Sequence, residues 1–398
     1  MSFGTGREAI GPYSEKKLTH VKTLTLTNNP RPSVKEFGNI TQLVEGMPNL
    51  RRVELDHWGF DGELFDMLCS PGFRNVEMVK LWNVRGEDVT DLSVLSQEQR
   101  QVLASKIKCL TITFSGGAER WCQRLCGLLT SVQRLDLHSD RPTDIVSSRT
   151  LTRLLANVAN LNVFRVSFIV NNPGGNRYLP STVTKLSVKS NDMDGECDNG
   201  ENIRDLSVDV LGNHRRDLIL QSLKCPDLVR LYVQNFYNER QSRKVFFAFP
   251  RAKVVEFDFT SIMSNWDTLV TNNKDTLESL VLRFCKGERH QIFRSVIDLA
   301  DRIAKGDLPH LESLFIVLPH SACDVSVDDW NADLLNLKFQ YRLLDLVNNN
   351  NKTVYLGLPN TSTLSAATWL DPTRYAHIKD HLHYVHYTKF ANYSVFAL

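Results

Sequence analysis

The sequence predicts an α/β solenoid, in which short β-strands alternate with helical or irregular linkers. Three observations predict it: an apolar pattern that recurs from end to end, a near-regular spacing of its copies, and helical periodicity in many linkers. In the first copy, Val21 is followed by Leu24 and Leu26, and only variable residues separate them. The last two apolar positions alternate with variable ones, which is the period of a half-buried strand. Such a strand cannot bury its apolar side alone, so neighbouring repeats are expected to stack.

Thirteen repeats can be aligned on the middle apolar residue of the pattern. The steps between them run from 20 to 34 residues, except for a last step of 42. We therefore expect an N-terminal lead or cap over residues 1–19, a solenoid of about 12–13 irregular repeats over 20–358, and a C-terminal cap or tail over 359–398. The aligned residues are Leu24, Val53, Val79, Leu110, Leu135, Phe164, Leu186, Leu206, Leu231, Val255, Leu280, Leu314 and Leu356.

Several linkers have the apolar spacing of amphipathic helices. Helices are predicted over residues 118–129, 147–158, 291–305 and 329–347, and Ser147 or Ser148 could cap the second of them. Residues 191–201 are acidic and contain glycine, so an irregular turn or a protruding loop is expected there instead.

Composition restricts the classes of protein to which the chain can belong. The 398 residues carry a net charge of +2, which gives no broad field for binding nucleic acid. No membrane span or secretory signal is evident, and the eight cysteines form no CxxC pair. These features favour a cytoplasmic or nuclear protein with free thiols.

The longer pattern, in which asparagine or cysteine follows the last apolar residue by three positions, occurs at residues 21–29, 183–191 and 277–285. Over residues 20–358 the chain resembles the leucine-rich repeat family, and in particular its ribonuclease-inhibitor-like and F-box-associated subclasses. The resemblance implies a horseshoe with a parallel β-sheet on the concave face and helices or irregular linkers on the convex face. Only about 20 residues precede the first repeat, so no F-box is evident and the resemblance covers the repeats alone.

The variable residues that flank the two inward apolar positions of a strand point to the opposite face of the sheet. Arginine, tyrosine and tryptophan among them are the residue types that most often dominate protein interfaces. We therefore predict a non-enzymatic scaffold for protein–protein interaction, which binds a protein partner through Arg52, Lys80, Trp82, Arg134, His138, Arg165, Arg230, Tyr232 and Arg283.

The resemblance to F-box-associated repeats further implies a substrate adaptor in ubiquitin ligation, with Skp1-type ubiquitin-ligase components as partners. One alternative is a regulator of an enzyme, either an inhibitor or a GTPase activator. Another is a nucleic-acid-associated repeat protein, against which the near-neutral charge argues.

The sequence contains no pattern that requires catalysis, a cofactor or a metal. It has no GxxxxGK[ST], HExxH or GxSxG motif. His377, His381, His383 and His386 lie close together, but no cysteine or paired acid has matching spacing for zinc. The acidic loop that begins at Asp192 lacks the glycine and glutamate positions of a calcium loop. We expect no enzyme activity, no cofactor and no metal site.

Overall fold

The computed structural model of the chain forms two compact units, Met1–Asn202 and Ile203–Leu398. No helix in the described part of the chain has the length and apolar character needed to cross a membrane. The structure describes residues 2–4, 18–27, 34–58, 62–85, 95–141, 144–171, 177–189, 197–198, 200–209, 225–236, 251–259, 266–323, 333–358 and 382–386.

In the first unit, one strand from each repeat enters a parallel sheet in the order of the chain. The order β1-β2-β3-β4-β5-β6-β8-β11 contains no crossover between these repeats. The strands of this sheet are β1 (Ser2–Gly4), β2 (Thr23–Thr27), β3 (Arg52–Asp56), β4 (Met78–Arg85), β5 (Cys109–Ser115), β6 (Arg134–Ser139), β8 (Val163–Val166) and β11 (Lys185–Lys189). Two small parallel pairs lie outside it: β7 (Ile145–Ser147) with β9 (Ile169–Asn171), and β10 (Arg177–Tyr178) with β12 (Cys197–Asp198).

The apolar residues of the repeats meet their counterparts in register. Leu24 pairs with Val53, and the same row continues through Val79, Leu110, Leu135, Phe164 and Leu186, each at most 4% exposed. The first apolar residue of each repeat is also buried, as Leu50 and Val132 illustrate. Because these rows cover one face of the sheet from β2 to β11, only the opposite face of that sheet is left open to a partner.

A backbone contact repeats at the entry to each strand. The carbonyl of Lys22 accepts hydrogen bonds from the N–H groups of both Arg51 and Arg52, at 2.9 and 3.1 Å. The carbonyls of Arg51, Glu77, Lys108, Gln133 and Asn162 each accept two consecutive N–H groups of the next repeat in the same way. This contact holds each repeat in the same register against the one before it.

Helices occupy the linkers of the first unit. They are α1 (Val34–Glu45), α2 (Gly62–Cys69), α3 (Gln97–Ser105), α4 (Ala118–Leu125) and α5 (Ser148–Leu155), with short 3-10 turns at Pro71–Phe73 and Gly200–Asn202. Neighbouring repeats share the capping of α4 and α5. Ser147 caps α5, as predicted, by accepting from the Thr150 N–H, while its own N–H and hydroxyl donate to Glu119 of α4 at 2.7 and 3.0 Å.

The second unit repeats the same construction. Its sheet runs in chain order through β13 (Asp205–Asp209), β14 (Arg230–Phe236), β15 (Val254–Phe259), β16 (Ser279–Phe284), β17 (Ser313–Val317), β18 (Thr353–Leu358) and β19 (Leu382–His386), all parallel. Its helices are α6 (Asp267–Asn273), α7 (Arg289–Ala304), α8 (His320–Cys323) and α9 (Leu334–Asn348).

The last aligned repeat was predicted two residues out of register. Leu314 pairs with Val354, and Leu356 pairs with Ile316, so Val354 is the middle apolar residue and the predicted Leu356 is wrong. The cause is the missing first apolar residue, because that position is occupied by Asn351, which adopts a φ of 51°. Leu382 then continues the row on β19.

The α/β class and the parallel strands are confirmed, and so are the helices expected near residues 118–129, 147–158, 291–305 and 329–347. The horseshoe remains a prediction. Most of the expected C-terminal cap and of the acidic loop lies outside the described residues. So do Asn29 and Asn191 of the longer pattern, whereas Cys285 is described and exposed.

Candidate functional site

The side of the first sheet opposite to the buried apolar rows carries the polar side chains. We call it the first polar face. Its middle row contains Thr25, Glu54, Lys80, Thr111, Asp136, Arg165 and Ser187, which pair in register from strand to strand. The flanking rows include Arg52, Met78, Cys109, Arg134, Val163 and Lys185 on one side, and Thr27, Asp56, Trp82, Thr113 and His138 on the other.

Two arginines of this face pair with a carboxylate two residues further along the same strand. Arg52 Nη2 lies 2.6 Å from Glu54 Oε1. Arg134 donates from Nε and Nη2 to Asp136 Oδ2, at 3.0 and 2.9 Å. The period of two along a strand places both groups of each pair on the same face. Asp136 is only 3% exposed, and its Oδ1 accepts no hydrogen bond from the described residues.

Lys80 and Trp82 form a contact of a different kind. The ammonium of Lys80 lies 4.1 Å from the centre of the Trp82 ring, and it makes no ion pair with a described residue. Burial lowers the pKa of the Lys80 ammonium, and the nearby Arg52 guanidinium acts in the same direction. A bulge between Leu81 and Val84 places Asn83 at a φ of 54°, and Asn83 Nδ2 donates to Asp56 Oδ1 at 2.7 Å.

His138 and Arg165 lie half-buried on the next two strands of this sheet. Burial lowers the pKa of the His138 imidazole, and the charge of Arg165 adds to the effect. His138 is therefore neutral at physiological pH, and it makes no hydrogen bond with a described residue. Arg165 pairs in register with Asp136. Burial lowers the pKa of the Arg165 guanidinium, but an arginine remains charged in proteins.

The first polar face has an excess of positive charge. Its described side chains include five cations, Arg52, Lys80, Arg134, Arg165 and Lys185, and three carboxylates, Glu54, Asp56 and Asp136. Carboxylates and cations alternate along the middle row, so the positive charges of that row are separated from one another by a negative charge.

In the second unit, charged and polar side chains of the corresponding face pair with one another. Arg230 Nη1 lies 3.8 Å from Asp205 Oδ2 on the neighbouring strand. Tyr232 is 9% exposed and its hydroxyl donates to Asp258 Oδ2 at 2.6 Å. Burial raises the pKa of the Tyr232 phenol, and Asp258 reinforces the shift.

Glu256 and Arg283 form the centre of this network. Arg283 Nε donates to Glu256 Oε1 at 2.6 Å and lies 3.7 Å from Asp258 Oδ1. Glu256 is 1% exposed. Burial raises the pKa of the Glu256 carboxyl to about 7, although Arg283 opposes the shift. On the strands that follow, Phe315 and Tyr355 stack in register with their ring centres 4.1 Å apart.

The structure brings six of the nine predicted partner-binding residues to the first polar face: Arg52, Lys80, Trp82, Arg134, His138 and Arg165. It places Arg230 at a partly exposed ion pair of the second unit. Tyr232 and Arg283 lie in an internal network of that unit. Period-two alternation also predicts Asp136 and Glu256 on the polar side of their strands, but the predicted partner-binding set does not include them or Tyr355. Their position between the two inward apolar residues of a strand was the available signal.

Among the described residues, no group of histidine, cysteine, aspartate or glutamate side chains could hold a metal ion. His377 and His381 lie outside the described residues, while His383 and His386 belong to strand β19.

Comparisons with known proteins do not assign the chain to a family. No protein-family model matches it, and no curated protein matches its sequence. Among solved structures, it is similar to a crystal structure of the Rad7 and Elc1 complex in yeast. The sequence identity is 10% and the TM-score 0.37, over 94% of this chain and 76% of that chain. A similarity of this degree does not define a partner.

Proposed function

We propose that the protein is a non-enzymatic scaffold that binds another protein through the polar faces of its sheets. The observation that supports this most strongly is the first polar face. One side of that sheet carries the buried apolar rows, while the other presents cations and Trp82 at half-buried positions. Partly desolvated charges and aromatic groups contribute most at protein interfaces.

The arrangement of charge favours a protein over a nucleic acid as the partner. A phosphodiester backbone carries a uniform negative charge. Glu54, Asp56 and Asp136 lie among the cations and would repel part of such a backbone. A protein partner can present acidic groups only where this face presents cations, and such complementarity determines specificity.

Site-specific photocrosslinking tests the proposal. A benzoyl-phenylalanine placed at Thr113, on the strand between those that carry Trp82 and His138, should capture a protein in the native cell extract. The matched control places the same group at Arg120, which is exposed on α4 of the same unit. We expect a product that depends on the Thr113 position. Equal capture from both positions, or none from Thr113, would refute binding at this face.

The adaptor role is a finer proposal, which follows from the resemblance to F-box-associated repeats. It requires that affinity purification recover Skp1-type ubiquitin-ligase components together with this protein. The alternative of a GTPase activator predicts instead that the protein accelerates GTP hydrolysis by a small GTPase. A turnover assay with candidate GTPases distinguishes the two.

A further inference from the structure

Several hydrogen-bond donors around Lys80 have no acceptor in the described part of the first unit. Lys80 contacts the Trp82 ring but no carboxylate, and the Trp82 indole N–H donates to no described residue. His138 adds a further N–H without a described acceptor. These groups lie on β4 and β6 of one sheet, and all of them are hydrogen-bond donors at physiological pH.

Arg165 provides a second positive point on the same row. It lies on β8, three strand positions from Lys80 in the order β4-β5-β6-β8. Neighbouring strands are about 4.8 Å apart, so roughly 14 Å separate the two backbone positions. An extended chain advances about 3.3 Å per residue, so its side chains at positions i and i+4 span a similar distance and point to the same side.

The carboxylate between these two points constrains the partner further. Asp136 is one strand from Arg165 and two from Lys80, it is 3% exposed, and its Oδ1 lacks a described donor. An acidic side chain placed opposite Asp136 would be repelled. A neutral side chain there would avoid this repulsion, whereas a donor could not reach Oδ1, because that oxygen is itself buried.

We propose that the first polar face binds an extended acidic segment of a partner protein, with two carboxylates four residues apart that contact Lys80 and Arg165. This inference rests on the proposed function and adds the chemistry of the partner. The segment lies across the strands, and a neutral side chain between its two acids faces Asp136. Trp82 packs against the segment beside the first acid.

Fluorescence polarisation with designed peptides tests the inference on the full chain. The probe is a labelled peptide with two aspartates in the i, i+4 arrangement and serine between them. A second peptide has the same composition but adjacent aspartates. We expect the spaced peptide to bind more tightly. The double variant Lys80→Gln/Arg165→Gln should weaken its binding roughly tenfold, the effect of two partly buried charge contacts.

A matched double variant, Arg120→Gln/Arg149→Gln, removes the same two charges from exposed positions on α4 and α5. Its affinity should equal that of the unmodified protein. Circular dichroism melting of each variant shows whether it is folded. If Lys80→Gln/Arg165→Gln does not fold, the single variants Lys80→Gln and Arg165→Gln replace it, each with an expected loss of about threefold.

Equal binding of the spaced and adjacent peptides, or equal loss in the two double variants, would overturn the inference. So would tighter binding of a single-stranded oligonucleotide of the same charge, because nucleic acid would then be the preferred ligand. These results leave capture at Thr113 unaffected, so the inference can fail while the proposed function stands. If no protein is captured from Thr113, the proposed function fails first.

Discussion

The Glu256 carboxyl provides a direct test of how the second sheet tolerates a buried charge. Glu256 is 1% exposed and receives a hydrogen bond from Arg283 Nε at 2.6 Å. Burial favours the neutral acid, Arg283 favours the carboxylate, and the nearby Asp258 carboxylate again favours the neutral acid. The substitution Glu256→Gln keeps the shape of the side chain and removes its titration.

The expected magnitude follows from the raised pKa. The Glu256 pKa rises from 4.5 to about 7 on folding, which corresponds to about 3.5 kcal/mol at about 1.4 kcal/mol per pK unit. Between these two values the folded state binds the proton more strongly than the unfolded state. The free energy of unfolding therefore falls as the pH rises from about 4.5 to about 7, and this contribution is constant above that range.

Urea unfolding of both proteins between about pH 5 and about pH 8 measures the effect. Other titrating groups contribute to both curves, so the difference between the two proteins isolates Glu256. Relative to the unmodified protein, Glu256→Gln should gain about 2.5 kcal/mol between the two ends of this range, because about pH 5 already lies above the unfolded pKa. Parallel curves would refute the reasoning. A gain by the unmodified protein as pH rises would show that the Arg283 ion pair outweighs burial.

Two further substitutions test the packing of the first unit. Glu119→Ala removes the acceptor for the Ser147 N–H and for the hydroxyls of Ser147 and Thr150, and should cost about 2 kcal/mol in urea unfolding at neutral pH. Burial alone would raise the pKa of Glu119, but these hydrogen bonds outweigh burial and lower it. The stabilisation by the Glu119 carboxylate is therefore present above the unfolded pKa and is lost as pH falls through the folded pKa. An equal cost of Glu119→Ala at neutral and strongly acidic pH would contradict this. Leu135→Ala leaves a cavity in a row that is fully buried and should cost about 3 kcal/mol by the same assay. A cost below about 1 kcal/mol would mean that the row is not a continuous core.

Much of the fold could be predicted because the same apolar spacing recurs in most of the repeats. Middle residues such as Leu24, Leu135 and Leu280 were aligned from spacing alone, and the register places them in the buried rows. The prediction failed where the first apolar residue is absent. Asn351 occupies the first apolar position of the repeat that contains β18, and Lys379 occupies it in the repeat that contains β19. Each of these repeats therefore keeps only its last two apolar residues, which alternate with variable ones. A pair of that kind is too short to distinguish from chance.

The candidate site was predictable as a face but not as a set of contacts. Period-two alternation places Lys80 and Tyr232 in the same row position of their strands, yet Tyr232 is buried and bonded to Asp258 while Lys80 has no described ion pair. Which neighbour satisfies a polar group depends on the side chains of the adjacent strands. Those strands lie 20 or more residues away in the chain, so no local pattern reports the pairing.

The affinity of the Trp82→Ala variant for the protein captured from position 113 tests the central claim most directly. Trp82 is half-buried on the first polar face, and Tyr341, an exposed aromatic residue on α9, provides the matched control Tyr341→Ala. If the partner occupies this face, Trp82→Ala should weaken binding by about tenfold or more with little change in melting temperature, and Tyr341→Ala should not. Unchanged affinity of Trp82→Ala, with the protein still folded, would contradict binding at the polar face of the sheet.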